Sequence, residues 1–202
     1  CCTRGFFKNA LELFRQETGL EFFAAFEHEF TLLGDPIAAG PSFTIEAIRN
    51  VARYTQDLTK ALTQANVGLE TVEPEFGVNQ YEVTSAPAVG LEAAERAIIT
   101  REVIRETARR LGYRATFTPK ASPDAIGNGA HVHFSFLDSK GNNATYDATQ
   151  PNNASVVAQH FIAGVTRHMR AICAITSPSP VSYLRLGPNH WSCGYSSFGV
   201  QN

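Results

Sequence analysis

The chain has 202 residues, 44% of them hydrophobic, and 17 Lys and Arg stand against 19 Asp and Glu for a formal net charge of −2. That is the size and apolar share of one ordinary domain with a real core. The near-neutral balance argues against nucleic acid and against an anionic membrane surface as partners. No apolar run approaches the roughly 20 residues that span a bilayer.

In chain order, the spacing of Phe6, Phe7, Ala10, Leu11 and Phe14 predicts an amphipathic helix over 3–18, stopped by Gly19. A strand over 22–33 follows. Residues 34–41 read as loop, and Thr44 caps a helix from 45 to about 66 that Gly68 ends. Residues 69–84 read as a hairpin turning at 77–79. A charged helix runs from Gly90 to Gly112, and 114–119 is a short strand. Loop 121–130 leads into a strand at 131–136, and 138–142 is a turn. The longest helix covers 154–176 and is stopped by Pro178 and Pro180; the tail 181–202 reads as loop with short strand segments. Antiparallel strands interleaved with long helices predict an α+β fold, a curved antiparallel sheet backed by helices on one side. Cys1, Cys2, Cys173 and Cys193 are expected as reduced thiols, and with no apolar leader at residue 1 the expected compartment is the cytoplasm.

Side-chain alternation puts Glu27, Glu29 and Thr31 on one face of the first strand, with Phe26, His28, Phe30 and Leu32 on the other. It likewise separates His131, His133 and Ser135 from Val132, Phe134 and Phe136. The apolar faces are expected to be buried, with His28 as a hydrogen-bonded core histidine. Same-face carboxylates repel unless a cation lies between them. Glu27, Glu29, Glu75, Glu82, His131 and His133 form a carboxylate-rich donor set that suits Mg²⁺ or Mn²⁺, and Lys120 and Arg185 follow in motif order as cations for phosphate oxygens. Each motif also has a plainer meaning. Glu-x-Glu is common on strands, and Glu73 and Glu75 beside Pro74 could be charges on an exposed hairpin edge. A hydrolase built on His-x-His is a further alternative, against which the excess of carboxylates counts.

The order of these motifs resembles the catalytic domain of glutamine synthetase. The matching stretches are Phe26-Glu-His-Glu-Phe30, Glu75-Phe-Gly-Val-Asn-Gln-Tyr-Glu82, Ala115-Thr-Phe-Thr-Pro-Lys120, Gly127-Asn-Gly-Ala-His-Val-His-Phe-Ser135, Phe161 to Ile172, and Ser182-Tyr-Leu-Arg-Leu186. The resemblance implies two metals per site. Glu29, Glu75 and Glu82 would hold one, on the substrate side. Glu27 and His131 would hold the other, on the nucleotide side, with its last carboxylate beyond residue 202. It further implies that His133 and Ser135 face ATP, that the Gly127 backbone meets the amino group of glutamate, and that Arg185 grips the substrate carboxylate as a catalytic residue. The implied domain is a partial catalytic domain over 1–202, incomplete at both ends and lacking the N-terminal β-grasp domain. The isolated piece is then expected to turn over little. The implied partners are glutamate or a similar acid, an amine, and further copies of the protein in a ring. Two departures stand out: Ala125-Ile126 where the family usually has Asp-Asn, and Trp191 where it has the glutamate that binds ammonium. The implied activity is an ATP-dependent carboxylate–amine ligase that forms a γ-glutamyl phosphate and then an amide with ammonia or another amine; because an indole stacks on a larger organic ammonium, Trp191 with Ile126 raises the hypothesis of an amine other than ammonia. A non-catalytic structural relative is the alternative.

Overall fold

A computed structural model describes residues 2–35, 37–188, 190–192 and 194–199. The chain divides into two compact units, Ala24–His133 and Cys1–Phe23 with Phe134–Asn202.

The 24–133 unit is built on a six-stranded sheet in which β1 (Glu21–Leu33) is central. β3 (Gln80–Ser85) pairs antiparallel with β1, and β2 (Leu69–Pro74) pairs antiparallel with β3. β4 (Ala88–Val89), β5 (Arg114–Thr116) and β6 (Ala130–Leu137) also pair with β1. The register fixes which side chains meet: Glu27 opposes Thr84, Glu29 opposes Glu82, and Glu73 opposes Glu82 from the other side. One face is therefore polar along its whole centre. The other carries Phe30, Leu32, Tyr81 and Val83 against Tyr54, Leu58 and Leu62 of α3 (Ala52–Gln64) and Ile104 and Ala108 of α4 (Leu91–Arg110). Phe30 is fully buried among the rings of Tyr54, Tyr81 and Phe117, at centroid distances of 6.3, 6.0 and 5.8 Å. Phe30→Ala is therefore expected to cost about 3–5 kcal/mol, read as a lower midpoint in chemical denaturation with the slope unchanged. A variant as stable as the parent would show that this face is not the core.

The predicted helix over 45–66 is two helices. Thr44 caps the first, its hydroxyl accepting from the Ala47 amide, and α2 runs Ile45–Asn50. Val51 then leaves helical geometry at φ −124° while its side chain stays buried in the core. A β-branched residue after Asn50 is a weak point for helix continuation, and burying Val51 sets the new direction. The second helix stops at Gln64, and Asn66 and Gly68 both take positive φ in the turn to β2. His28 is buried as expected, between Phe26 and Phe117. Its ring nitrogens, however, make no hydrogen bond of ordinary geometry. Burial, with the nearby Arg101 charge, pushes its pKa down to about 4, so the ring is neutral and packs as an aromatic.

In the second unit, α1 (Thr3–Thr18) and α5 (Val156–Thr176) contribute Phe14 and Phe161 to a cluster with Phe22, Phe134 and Phe136. Phe136 is fully buried. The expectation that its whole strand face is buried does not hold. Val132 is 48% exposed, and Phe134 is 38% exposed even though one side of its ring packs on Phe22 and Phe161. The tail differs too: α6 (Ser182–Arg185) is a single helical turn where strand segments were expected, and a 3₁₀ turn over Pro151–Asn153 precedes α5. Cys2 and Cys173 are free thiols; Cys1 and Cys193 lie outside the described residues.

Candidate functional site

The polar face of the 24–133 unit gathers carboxylates and imidazoles from three separate strands. Glu27 and Glu29 come from β1, Glu82 from β3, and His131 and His133 from β6. The Glu27 carboxylate stands at the centre: one oxygen lies 2.9 Å from His133 Nε2 and the other 3.1 Å from His131 Nδ1. His131 Nδ1 is also 4.0 Å from a Glu82 oxygen, and its Nε2 is 3.7 Å from Glu29 Oε1. One ligand atom each from Glu27, Glu82 and His131 lies within 4.8 Å of the others, a grouping that could close on a single ion. Carboxylate oxygens with one imidazole suit a hard divalent cation, so the donor set fits Mg²⁺ or Mn²⁺.

The electrostatics point the same way. Burial first, then the charges of Glu27, Glu75, Glu29 and Glu73, raise the Glu82 pKa from the ordinary 4.5 to about 8. Glu75 is raised for the same main reason, burial, with repulsion from Glu29 and Glu73. The hydrogen bond from the Phe76 amide and the proximity of His131 act in the opposite direction. Burial and mutual repulsion both disfavour the ionised form of these carboxyls, and a divalent cation among them would offset that.

Glu29 is held by its surroundings. Its Oε2 accepts from the Gly129 amide at 2.7 Å and from Gln80 Nε2 at 3.1 Å. The same Gln80 amide donates to the Gly127 carbonyl at 2.7 Å and to Asn128 Oδ1 at 3.1 Å, and Gln80 Oε1 accepts from the Gly77 amide. Asn128 in turn donates to the carbonyl of Thr118 and accepts from the Thr31 hydroxyl. Gln80 and Asn128 are both buried. This network fixes the 127–129 loop and one carboxylate together. Gln80→Leu is expected to weaken divalent-cation binding about tenfold, as loss of an outer partner does at metal sites, measured by calorimetric titration of the full-length protein. Unchanged affinity in a folded variant would remove Gln80 from the site.

The groups named from sequence thus fall in two places. Glu27, Glu29, Glu82, His131 and His133 converge, and Glu75 stands within their electrostatic reach. The converging trio draws Glu82 from one implied metal set and Glu27 and His131 from the other. Gly127 sits beside Glu29 through Gln80, at φ 100°, where glycine is favoured. Lys120 donates to the Pro123 carbonyl and so serves its own loop. Ser135, Arg185 and Trp191 belong to the other unit. There Arg185 Nη2 donates to the Trp191 carbonyl at 3.3 Å, and the Arg185 carbonyl accepts from the Ser192 hydroxyl. Sequence reasoning missed Gln80 and Asn128; Glu73 is exposed on β2, an edge strand of the sheet, in keeping with its plainer reading. The alternation 80, 82, 84 already puts Gln80 on the acidic face, and only the β2–β3 register brings Glu73 opposite Glu82.

The profile of the family described as "Glutamine synthetase, catalytic domain" matches residues 1–202. Among curated proteins, Type-1 glutamine synthetase 1 of Dictyostelium discoideum is 30% identical over all of this chain and 44% of its own length. Gamma-glutamylpolyamine synthetase GlnA3 of Streptomyces coelicolor is 32% identical over 90% of this chain and 40% of its own. Among solved structures, "Crystal structure of novel glutamine synthase homolog" shares 43% identity with a TM-score of 0.89, covering 94% of this chain and 45% of that one. The chain therefore spans less than half the length of the relatives it matches. It belongs to the glutamine synthetase family.

Proposed function

We propose that this chain is the metal-holding part of the catalytic domain of an ATP-dependent carboxylate–amine ligase, and that the amine is an organic one. The observation that carries the reading is the meeting of Glu27, Glu82 and His131 from three strands, with ligand atoms within 4.8 Å of one another.

The reaction has two steps. A carboxylate oxygen of glutamate, or a similar acid, attacks the γ-phosphorus of ATP; the bond to the bridging oxygen breaks and ADP leaves. The amine nitrogen then attacks the acyl carbon, the C–N bond forms, the amine loses a proton and phosphate departs with the C–O electrons. Glu27 and His131 on one side, and Glu29, Glu75 and Glu82 on the other, would hold a pair of divalent cations. Bound there, Mg²⁺ or Mn²⁺ offsets the charge of the transferred phosphoryl group. His133 and Ser135 serve the nucleotide, the Gly127 carbonyl takes the amino group of the acid, and Arg185 takes its carboxylate. Trp191 replaces a carboxylate with an aromatic face, which favours an organic ammonium over NH₄⁺. The similarity to a synthetase named for polyamines supports that choice. The working form is proposed to be a homo-oligomeric ring.

The test is phosphate release from ATP by the full-length protein, with glutamate and a panel of amines that includes ammonium. Turnover is expected to be higher with organic amines, and robust activity with ammonium alone would overturn the choice of amine. Stabilisation against heat by Mg²⁺ with ATP is the companion result. Its absence would favour a structural relative without catalysis.

A further inference from the structure

The helix-covered side of the 24–133 sheet carries a cation without a counterion among the described residues. Along α4, Arg96 pairs with Glu92 at 2.6 Å, Arg105 with Glu102 at 2.5 Å, and Arg109 and Arg110 with Glu106 at 2.7 and 2.9 Å. Arg101, on the same helix and half-buried, has neither an ion pair nor a hydrogen bond of its side chain among the described residues. Its Cζ lies 4.2 Å from the centroid of the Phe117 ring, and Arg105 Cζ lies 4.9 Å from the same centroid. Two guanidiniums over one ring repel each other. Burial first, then the Arg105 charge, lowers the Arg101 pKa, with Glu102 acting in the opposite direction. A cation drawn partly out of water without a counterion is what a bound anion would relieve.

The ring beneath them is held in place before any ligand arrives. Phe117 packs against Phe30 at 5.8 Å and perpendicular to His28 at 6.3 Å. The carbonyls on either side of it, those of Thr116 and Thr118, both accept from Nδ2 of the buried Asn128, at 3.4 and 2.9 Å. A guanidinium over an aromatic ring uses its face there, which leaves its N–H edge for the paired oxygens of a phosphate or a carboxylate. We propose that Arg101 and Arg105, seated over Phe117, bind a small oxyanion, a phosphate or a carboxylate group, on the side of the sheet opposite the carboxylate cluster. The surroundings limit its size. An extended acidic surface would meet Glu102 and Glu106 on the same helix, whereas a small ion needs only the two guanidiniums. The site stands independently of the ligase reading.

The test follows the thermal midpoint of the full-length protein, with metal and chelator dialysed away, as inorganic phosphate, succinate or chloride is added at matched ionic strength. Without metal the carboxylate cluster repels anions, which keeps that face silent. The parent is expected to gain stability with phosphate or succinate and not with chloride. Whichever of the two acts at the lower concentration identifies the source of the oxyanion. In Arg101→Gln the half-effective concentration is expected to rise at least about tenfold, as loss of a charge-assisted hydrogen bond implies. Arg105→Gln, at an exposed position, is expected to show the same rise and carries the test if Arg101→Gln does not fold. Arg110→Gln is the control, since its parent side chain is already paired with Glu106, and a parent-like response is expected. No gain with phosphate or succinate in the parent, an equal gain with chloride, or a parent-like response in either of the first two variants overturns the proposal. An equal loss in Arg110→Gln also overturns it, because it would mark a general attraction to the helix.

Discussion

Replacing Glu27 by alanine is expected to weaken Mg²⁺ or Mn²⁺ binding by the full-length protein at least about 100-fold, beyond what loss of an outer partner costs, and to lower ATP turnover with it. The reason is position. Glu27 is the only carboxylate in the cluster that stands within hydrogen-bonding distance of both His131 and His133. Its removal deletes one of the three converging donor groups and also frees the two imidazoles that its oxygens orient. Glu27→Gln separates these effects, since it keeps the shape and the hydrogen-bonding oxygen but not the charge; a comparable loss identifies the charge as the requirement. Thr84, the cross-strand neighbour of Glu27, is the control. Its hydroxyl pairs with that of Thr71 at 2.6 Å, so Thr84→Val is expected to leave cation affinity unchanged. Calorimetric titration with each ion reads all three. Parent-like affinity in both Glu27 variants would mean that these carboxylates hold no metal.

The parts of this arrangement visible in the sequence are those governed by a strict period. The two-residue repeat of β1 and β6 separates Glu27 and Glu29 from Phe30, and His131 and His133 from Phe136, whatever the rest of the chain does. The period says which side a residue faces, not whether anything covers it, and so Val132 and Phe134 were expected to be buried and are not. It is silent on register as well. That Glu82 lies between Glu29 and Glu73 depends on the β1–β3 and β2–β3 pairings, and a slip of one residue would turn Glu82 into the core. Gln80 and Asn128 escape a search for ionisable groups because neither carries charge; their part is to tie Glu29 to a loop whose Gly129 lies 100 residues away in sequence. The break at Val51 is a tertiary effect. Local propensity allows one helix from 45, and burial of Val51 in the core favours two.

Cation binding is expected to strengthen by up to about tenfold per pH unit between about pH 6 and about pH 8, as follows when one proton must leave for each ion bound. Glu82 supplies that proton. In the folded chain its carboxyl keeps the proton up to about pH 8, against 4.5 for an unperturbed glutamate. Between those values the folded form binds more protons than the unfolded form. The stability that goes with the neutral carboxyl is thus complete below about pH 4.5 and is lost as pH rises through about 8, the reverse of an ion-paired glutamate. His28 acts in a lower window. Its folded pKa of about 4 lies below the ordinary 6.5, so its contribution is complete above 6.5 and is lost as pH falls through 4. The interval from about 6.5 to about 8 therefore belongs to Glu82 alone of these two. In that interval the metal-free protein is expected to melt at progressively lower temperature as pH rises, and saturating Mg²⁺ is expected to reverse the trend, because the cation takes the proton's place among the carboxylates. Titration in buffers of different ionisation enthalpy counts the protons released on binding. Glu82→Gln abolishes both the release and the slope if the account is right; a slope that persists in that variant would assign the proton to another group of the cluster.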